Sequence, residues 1–385
     1  MDYKGRRKVR RVEVEMISTH CRCACVAALL AMLPPLASAA PEYFSVTPTS
    51  GKYSRTIGLN DAGQYAVNSA GPEIPYQAAS INGGAMSESI GSLGGYITQI
   101  GALNNLGEAV GVSTTALGEY HSFLYSNGHM QDLTARYGIH DARDINDRGE
   151  IAARTADFRA AVLRDGAVDA FGPDNSAPGD MNGRGELLVE YFAGGLAYRT
   201  AVYRDGTLTD LPVAGGTQKF GQAINDAGWV TGYFTSAEGR NHAFAWDGQT
   251  YTNLTPWADN SFGLDINNLG QVVGVADNRA FLYADGELID LNTRIDPTAD
   301  LLLISADEIN DRTQITSHSC DRAGVFCYGS MLLTPVPAIP EPSTISMALA
   351  GLALLSWRLR STLRAARPAD ARRMVLFVPL ARRKA

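Results

Sequence analysis

From about residue 55 to residue 333 the chain alternates short apolar runs with clusters of Asn, Asp and Gly, and the alternation recurs as two fixed phrases. The first is an apolar residue, Asn, two variable residues and Gly. It appears as Leu59-Asn60-Asp61-Ala62-Gly63 and again around Asn104, Asn146, Asn182, Asn225 and Asn267. Ile309-Asn310-Asp311-Arg312-Thr313 closes the series without its Gly. The Asn-to-Asn intervals are 44, 42, 36, 43, 42 and 43 residues, which defines seven repeats of about 42 residues. The second phrase is apolar and ends in Asp-Gly or Asn-Gly. His242-Ala243-Phe244-Ala245-Trp246-Asp247-Gly248 is the fullest copy, with relatives at Ser122–Gly128, Val162–Gly166, Ala201–Gly206 and Ala280–Gly286.

Both phrases are hairpin turns on physical grounds. An Asn side chain bonds backbone two residues on, and the Gly takes positive φ without a steric cost. Asp-Gly between apolar runs is a strong short-range hairpin signal. Each repeat then holds four short strands: one before the Asn turn, one after it, one at the apolar phrase and one after Asp-Gly. Four strands in this length is a propeller blade, so the expected fold is an all-β, seven-bladed β-propeller. The seventh repeat lacks a clear fourth strand, while Tyr43-Phe44-Ser45-Val46-Thr47 is β-prone and belongs to no repeat. Phe44 to Thr47 is therefore expected to lie beside Val325 to Leu333 and close the ring.

The flanks are addresses. Lys4 to Arg11 is basic, Val26 to Leu36 is apolar, and Ala37-Ser38-Ala39 follows, the order of a secretory signal peptide with cleavage after Ala39. Translation could begin at Met1 or at Met16. At the other end a Pro-rich spacer, 335–342, ends in Pro340-Glu341-Pro342. Apolar Ile345 to Trp357 comes next, then Arg358, Arg360 and Arg364, and an atypical basic tail over 368–385. The motif, apolar run and arginines in this order resemble the PEP-CTERM sorting signal. That resemblance implies recognition of segment 343–367 by an exosortase, with transient membrane anchoring through 345–359. It places the chain at the outer surface or in an extracellular matrix, in association with exopolysaccharide. The repeated phrases of the 40–334 domain resemble those of the HAF-repeat extracellular proteins, which implies a propeller-like array and no established chemistry.

Composition narrows the chemistry. Residues 41–342 carry 17 Lys/Arg against 36 Asp/Glu, a net of about −19, which leaves no phosphate-neutralising footprint and excludes nucleic acid as a partner. Of five cysteines, Cys21, Cys23 and Cys25 fall in the leader, and Cys320 and Cys327 are expected to form one disulfide across a turn. The Asn-Asp turns offer one Asp each at most, too few for a stacked calcium loop, so turn chemistry is the preferred reading. His121 and His242 share a repeat position held by Arg279 elsewhere, which favours a half-exposed strand-end role over metal binding. Asp307 and Glu308, adjacent in a strand, should point to opposite faces. Tyr125, Tyr203, Trp246 and Tyr283 suit packing, and Trp257 is the better surface contact. No catalytic, cofactor-binding or metal residue is assigned. The leading expectation is a non-catalytic surface or matrix protein; the alternative is a carbohydrate-binding or carbohydrate-active propeller working at the channel mouth.

Overall fold

A computed structural model of the chain describes residues 40–50, 54–71, 74–83, 86–194, 198–212, 216–324 and 327–337, with five residues between 352 and 358. The leader with Ala39, the sorting motif Pro340-Glu341-Pro342 and the basic tail lie outside the described residues. Two compact units divide the chain, Met1–Val336 and Pro337–Ala385. In the second, Leu352, Leu354, Leu355, Ser356 and Arg358 are helical. No helix among the described residues is long and apolar enough to cross a membrane.

The first unit is a ring of seven antiparallel four-stranded sheets. Strand β1 is Phe44–Pro48. Blade 1 holds β2 (Ser54–Leu59), β3 (Tyr65–Gly71), β4 (Ile74–Gly83) and β5 (Met86–Ser89). Blade 2 holds β6 (Gly94–Leu103), β7 (Ala109–Thr115), β8 (Tyr120–Ser126) and β9 (His129–Asp132), followed by the one-turn helix α1 (Leu133–Tyr137). Blade 3 holds β10 (Ile139–Ile145), β11 (Ile151–Thr155), β12 (Ala160–Arg164) and β13 (Ala167–Ala170). Blade 4 holds β14 (Ala177–Met181), β15 (Leu187–Phe192), β16 (Tyr198–Arg204) and β17 (Thr207–Asp210). Blade 5 holds β18 (Gly216–Ile224), β19 (Val230–Ser236), β20 (Asn241–Trp246) and β21 (Tyr251–Asn253). Blade 6 holds β22 (Ser261–Ile266), β23 (Val272–Ala276), β24 (Arg279–Ala284) and β25 (Glu287–Asp290). Blade 7 holds β26 (Leu302–Ile309), β27 (Ile315–Cys320) and β28 (Cys327–Pro335), and takes β1 as its fourth strand.

That last pairing closes the ring where the sequence placed it. Thr47 faces Leu332, Val46 faces Leu333 and Phe44 faces Pro335. Phe44 is 1% exposed and packs with Leu282 and Val273 of blade 6 as well as Leu303 and Ile315 of blade 7. A side chain of that size buried on closure contributes roughly 2–3 kcal/mol, which offsets part of the entropy of joining segments so distant in sequence. Each core cluster sits between successive blades, so middle strands are apolar on both faces: Leu187, Leu188 and Val189 of β15 are all 0% exposed. At the end of β27 Cys320 and Cys327 form a disulfide, directly opposite one another in the ladder.

The first strand of every blade is bulged just before its Asn turn: the register shifts between Ile57 and Leu59, Ile100 and Ala102, Gly221 and Ala223, Gly263 and Asp265, and Ala306 and Glu308. Blades 3 and 4 shift between His140 and Asp144 and between Pro178 and Met181. A bulge needs room on the neighbouring strand. Gly232 of β19 supplies it, since a Cβ there would lie 1.9 Å from the Phe220 carbonyl oxygen. Thr313 takes the left-handed place that Gly fills in the other turns, with φ 58°, a strained choice for a β-branched residue.

Candidate functional site: the central channel and its two mouths

The seven turn asparagines come together at one mouth of the channel, each 3–5% exposed. Every one donates from Nδ2 to the backbone carbonyl of the next. Asn60 donates to Asn104 (3.0 Å), Asn104 to Asn146 (3.1 Å), Asn146 to Asn182 (3.3 Å) and Asn182 to Asn225 (2.9 Å). Asn225 donates to Asn267 (3.0 Å), Asn267 to Asn310 (3.0 Å), and Asn310 back to Asn60 (2.9 Å). The ring of hydrogen bonds is closed. In the same side chains Oδ1 accepts backbone N–H groups of the turn, as from Arg312 and Gln314 at Asn310. The second Nδ2 proton goes to a Gln or Glu four residues on: Gln64, Glu108, Glu150, Glu186, Gln271 and Gln314. Only blade 5 differs, with Trp229 there. An Asn with both oxygen lone pairs and both protons satisfied is a fully committed buried group.

The next residue of each turn repeats the device outward. The N–H of Asp61 donates to Asn105 Oδ1, that of Asn105 to Asp147, Gly183 to Asp226, Asp226 to Asn268, Asn268 to Asp311, and Asp311 to Asp61. The rim breaks once, at Gly183, which has no side chain to accept from Asp147. Four aspartates thus meet at a mouth of about 220 Å³, with their oxygens accepting these bonds. Among the described residues no group of three or more His, Cys, Asp or Glu is arranged to hold a metal ion.

Deeper, the bulges turn a second set inward. Asp144, Asp180, Asp265 and Glu308, each two residues before the Asn, line a cavity of about 380 Å³ continuous with the mouth. Asp307 lines it too, so Asp307 and Glu308 do not point to opposite faces as expected; the bulge between Ala306 and Glu308 breaks the alternation. These acids clip blade to blade: Asp144 accepts from the Met181 N–H (2.6 Å), Asp180 from Ile224 (2.7 Å), Asp265 from Ile309 (2.7 Å) and Glu308 from Gly58 (2.7 Å). Burial strips these groups of water, and that desolvation raises all four carboxyls. Asp265 is pushed up to about 7, with Asp180 adding to it, and Glu308 to about 8, with Asp265 and Asp307 adding. Burial raises the Asp144 and Asp180 carboxyls as well, and the charge of Asp144 adds to the rise at Asp180.

The opposite mouth is built differently. Phe220 of β18 stacks on Tyr233 of β19 at 4.9 Å between centroids, and Tyr233 meets Phe262 of β22 edge-on at 4.7 Å. Glu190 of β15 is half-buried, raised by burial and partly relieved by Arg143. Arg143, on β10, reaches Asp141 at 3.0 Å and lines the inner cavity.

The remaining sequence candidates are scattered. His242 is 8% exposed, with Nδ1 3.0 Å from the Thr255 carbonyl, so it is a buried side chain and not the half-exposed one expected. A loop carbonyl behind the strand replaces solvent. His121 is half-buried against Asp132 at 2.7 Å, and His318 pairs with Asp307 at 2.5 Å. Tyr125 and Tyr203 are buried, Trp246 and Tyr283 half-buried, and Trp257 is 62% exposed. Sequence reasoning missed the inner acids and the Gln/Glu partner, although an acid two before Asn recurs in four repeats and Gln/Glu four after it in six.

The class this geometry defines is a closed seven-bladed β-propeller. Solved structures agree on the fold. The chain is similar to the β-propeller domain of the trilobed protease from Pyrococcus furiosus, whose topology is an open velcro (TM-score 0.52, 10% identity, 73% of this chain and 95% of that one). It is similar to Pyrococcus horikoshii acylaminoacyl peptidase (TM-score 0.50, 10% identity, 74% of this chain), spanning 50% of that chain. Peptide-bound YCF48 gives TM-score 0.50 at 11% identity, over 78% of this chain and 97% of that one. No curated protein matches. Residues 338–363 match the PEP-CTERM protein-sorting motif, which marks an exported protein sorted by an exosortase.

Proposed function

We propose that the chain is a non-catalytic, exosortase-sorted component of the cell surface or extracellular matrix, associated with exopolysaccharide and akin to the HAF-repeat proteins. The observation that carries this reading is the sorting motif at 338–363 behind a folded propeller. The channel supports the non-catalytic half. Carboxylates from four blades do gather there, but each accepts a backbone N–H of a neighbouring blade, the position of a clip between blades. Replacing Pro340-Glu341-Pro342 with three alanines in the producing cell tests the sorting half. Unprocessed protein should accumulate in the membrane fraction and the matrix fraction should lose it; unchanged size and release would refute the reading.

A further inference from the structure

The two mouths differ in what their polar groups are free to do. At the Asn mouth the amide and carboxylate oxygens are spent on ring closure. At the opposite mouth two are not: among the described residues neither the Glu190 carboxylate nor the Tyr233 hydroxyl has a protein hydrogen-bond partner, although both are half-buried. They stand beside an aromatic wall that crosses from blade 5 to blade 6. Glu190 lies in the field of Arg143, and Tyr233 in that of Glu190, so Arg143 of blade 3, Glu190 of blade 4, Phe220 and Tyr233 of blade 5 and Phe262 of blade 6 follow one another along one arc.

We propose that this mouth binds a neutral saccharide, stacked on Phe220, Tyr233 and Phe262 and held through its hydroxyls by Glu190 and Arg143. A sugar ring has an apolar C–H face and an edge of paired donors and acceptors. Aromatic faces suit the first, and a carboxylate beside a guanidinium suits the second. Of these residues Arg143 also lines the inner cavity, whose volume of about 380 Å³ falls within the roughly 300–1,000 Å³ of small-ligand pockets. Charge selects among glycans: with a net of about −19 over residues 41–342, the domain repels polyanions at long range. This inference rests on the matrix reading, but its test does not pass through sorting.

The test is affinity electrophoresis of the purified full chain through gels containing a neutral polymer (dextran, mannan or hydroxyethylcellulose), alginate as polyanion, or oligolysine as basic peptide. The expected result is retardation by a neutral polymer, weakened about tenfold or more by Glu190→Gln, the cost of losing one hydrogen bond to a charged group. Phe262→Ala should weaken it similarly, while Leu106→Ala, exposed in a turn at the asparagine mouth, should not. If Phe262→Ala fails to fold, Tyr233→Phe and Glu190→Gln, which keep side-chain shape, decide. Retardation by alginate or oligolysine alone, by no neutral polymer, or unchanged in Glu190→Gln and Tyr233→Phe overturns the proposal. Failure here with correct sorting in the cell would leave the matrix reading standing.

Discussion

Truncating one link of the asparagine ring, Asn310→Ala, measures what ring closure is worth. Asn310 is 4% exposed and makes four hydrogen bonds: from Nδ2 to the Asn60 carbonyl and Gln314 Oε1, and to Oδ1 from the N–H groups of Arg312 and Gln314. At about 1 kcal/mol net for each, with water recovering part at half-buried Gln314, the loss is about 3 kcal/mol. For a domain of this size that lowers the melting temperature by about 6–12 °C. Asn225→Ala should cost less, because Trp229 replaces the Gln/Glu partner and Asn225 makes one bond fewer. Asn310→Asp keeps the acceptor and turns the donor into a carboxylate oxygen facing two acceptors. It should be worse than alanine at pH 7 and recover towards about pH 4, near the ordinary Asp pKa. The assay is thermal unfolding of the purified full chain, followed by circular dichroism and tryptophan fluorescence. A melting temperature within about 2 °C of wild type for Asn310→Ala would show that the ring bonds contribute nothing net, and the argument from committed polar groups would fall.

Four further outcomes follow from the same geometry. Phe44→Ala empties the seam between β1 and blade 7 and should cost about 3–5 kcal/mol by denaturant titration; an unchanged midpoint would mean the ring closes without it. Burial raises the folded pKa of Asp265 to about 7 and of Glu308 to about 8, so the native state holds protons that the unfolded chain releases near pH 4. Stability should therefore fall as pH rises from about 4 to 8, and Glu308→Gln should flatten that fall; a profile rising over the same window refutes the assignment. Gly232→Ala places a Cβ against the Phe220 carbonyl and should destabilise by about 1–3 kcal/mol as the bulge shifts. Reducing Cys320–Cys327 should cost about 2 kcal/mol, a loop of this length constraining the unfolded chain only modestly.

The fold was legible because it is built from local signals repeated in phase. Turn chemistry named the hairpins, the interval between asparagines gave the blade count, and an unpaired β-prone run at Phe44 predicted the closing strand. What stayed hidden depends on partners far along the chain or on broken alternation. The acceptor of each Asn Nδ2 is a backbone carbonyl 36 to 44 residues onward, or 250 residues back at the seam, and a carbonyl carries no sequence signature. The bulges defeated the reading of Asp307 and Glu308, because period-two alternation holds only for a regular strand. His242 misled for a similar reason: its burial comes from the Thr255 loop, not from its own strand.

Which residues repeat and which do not separates structure from function more sharply than residue type does. A ring of seven blades closes only if each offers its neighbours the same groups, so residues serving closure must recur in phase, as Asn and its Gln/Glu partner do. A ligand entering the channel has no sevenfold symmetry, and the groups that hold it must therefore break the repeat. Five residues before each Asn stand Arg55, Gln99, Asp141, Ala177, Phe220, Phe262 and Ser305, a position that varies completely except for the two adjacent phenylalanines. Their cross-strand neighbours behave alike: Tyr233 faces Phe220 and Glu190 faces Ala177. Within this variable position the aromatics and the unpartnered Glu190 fall on blades 4 to 6. A structural packing role alone would place them anywhere around the ring. The proposed saccharide site asks for such a concentration on one arc of the opposite mouth, and the retardation assay on Glu190→Gln and Phe262→Ala tests it.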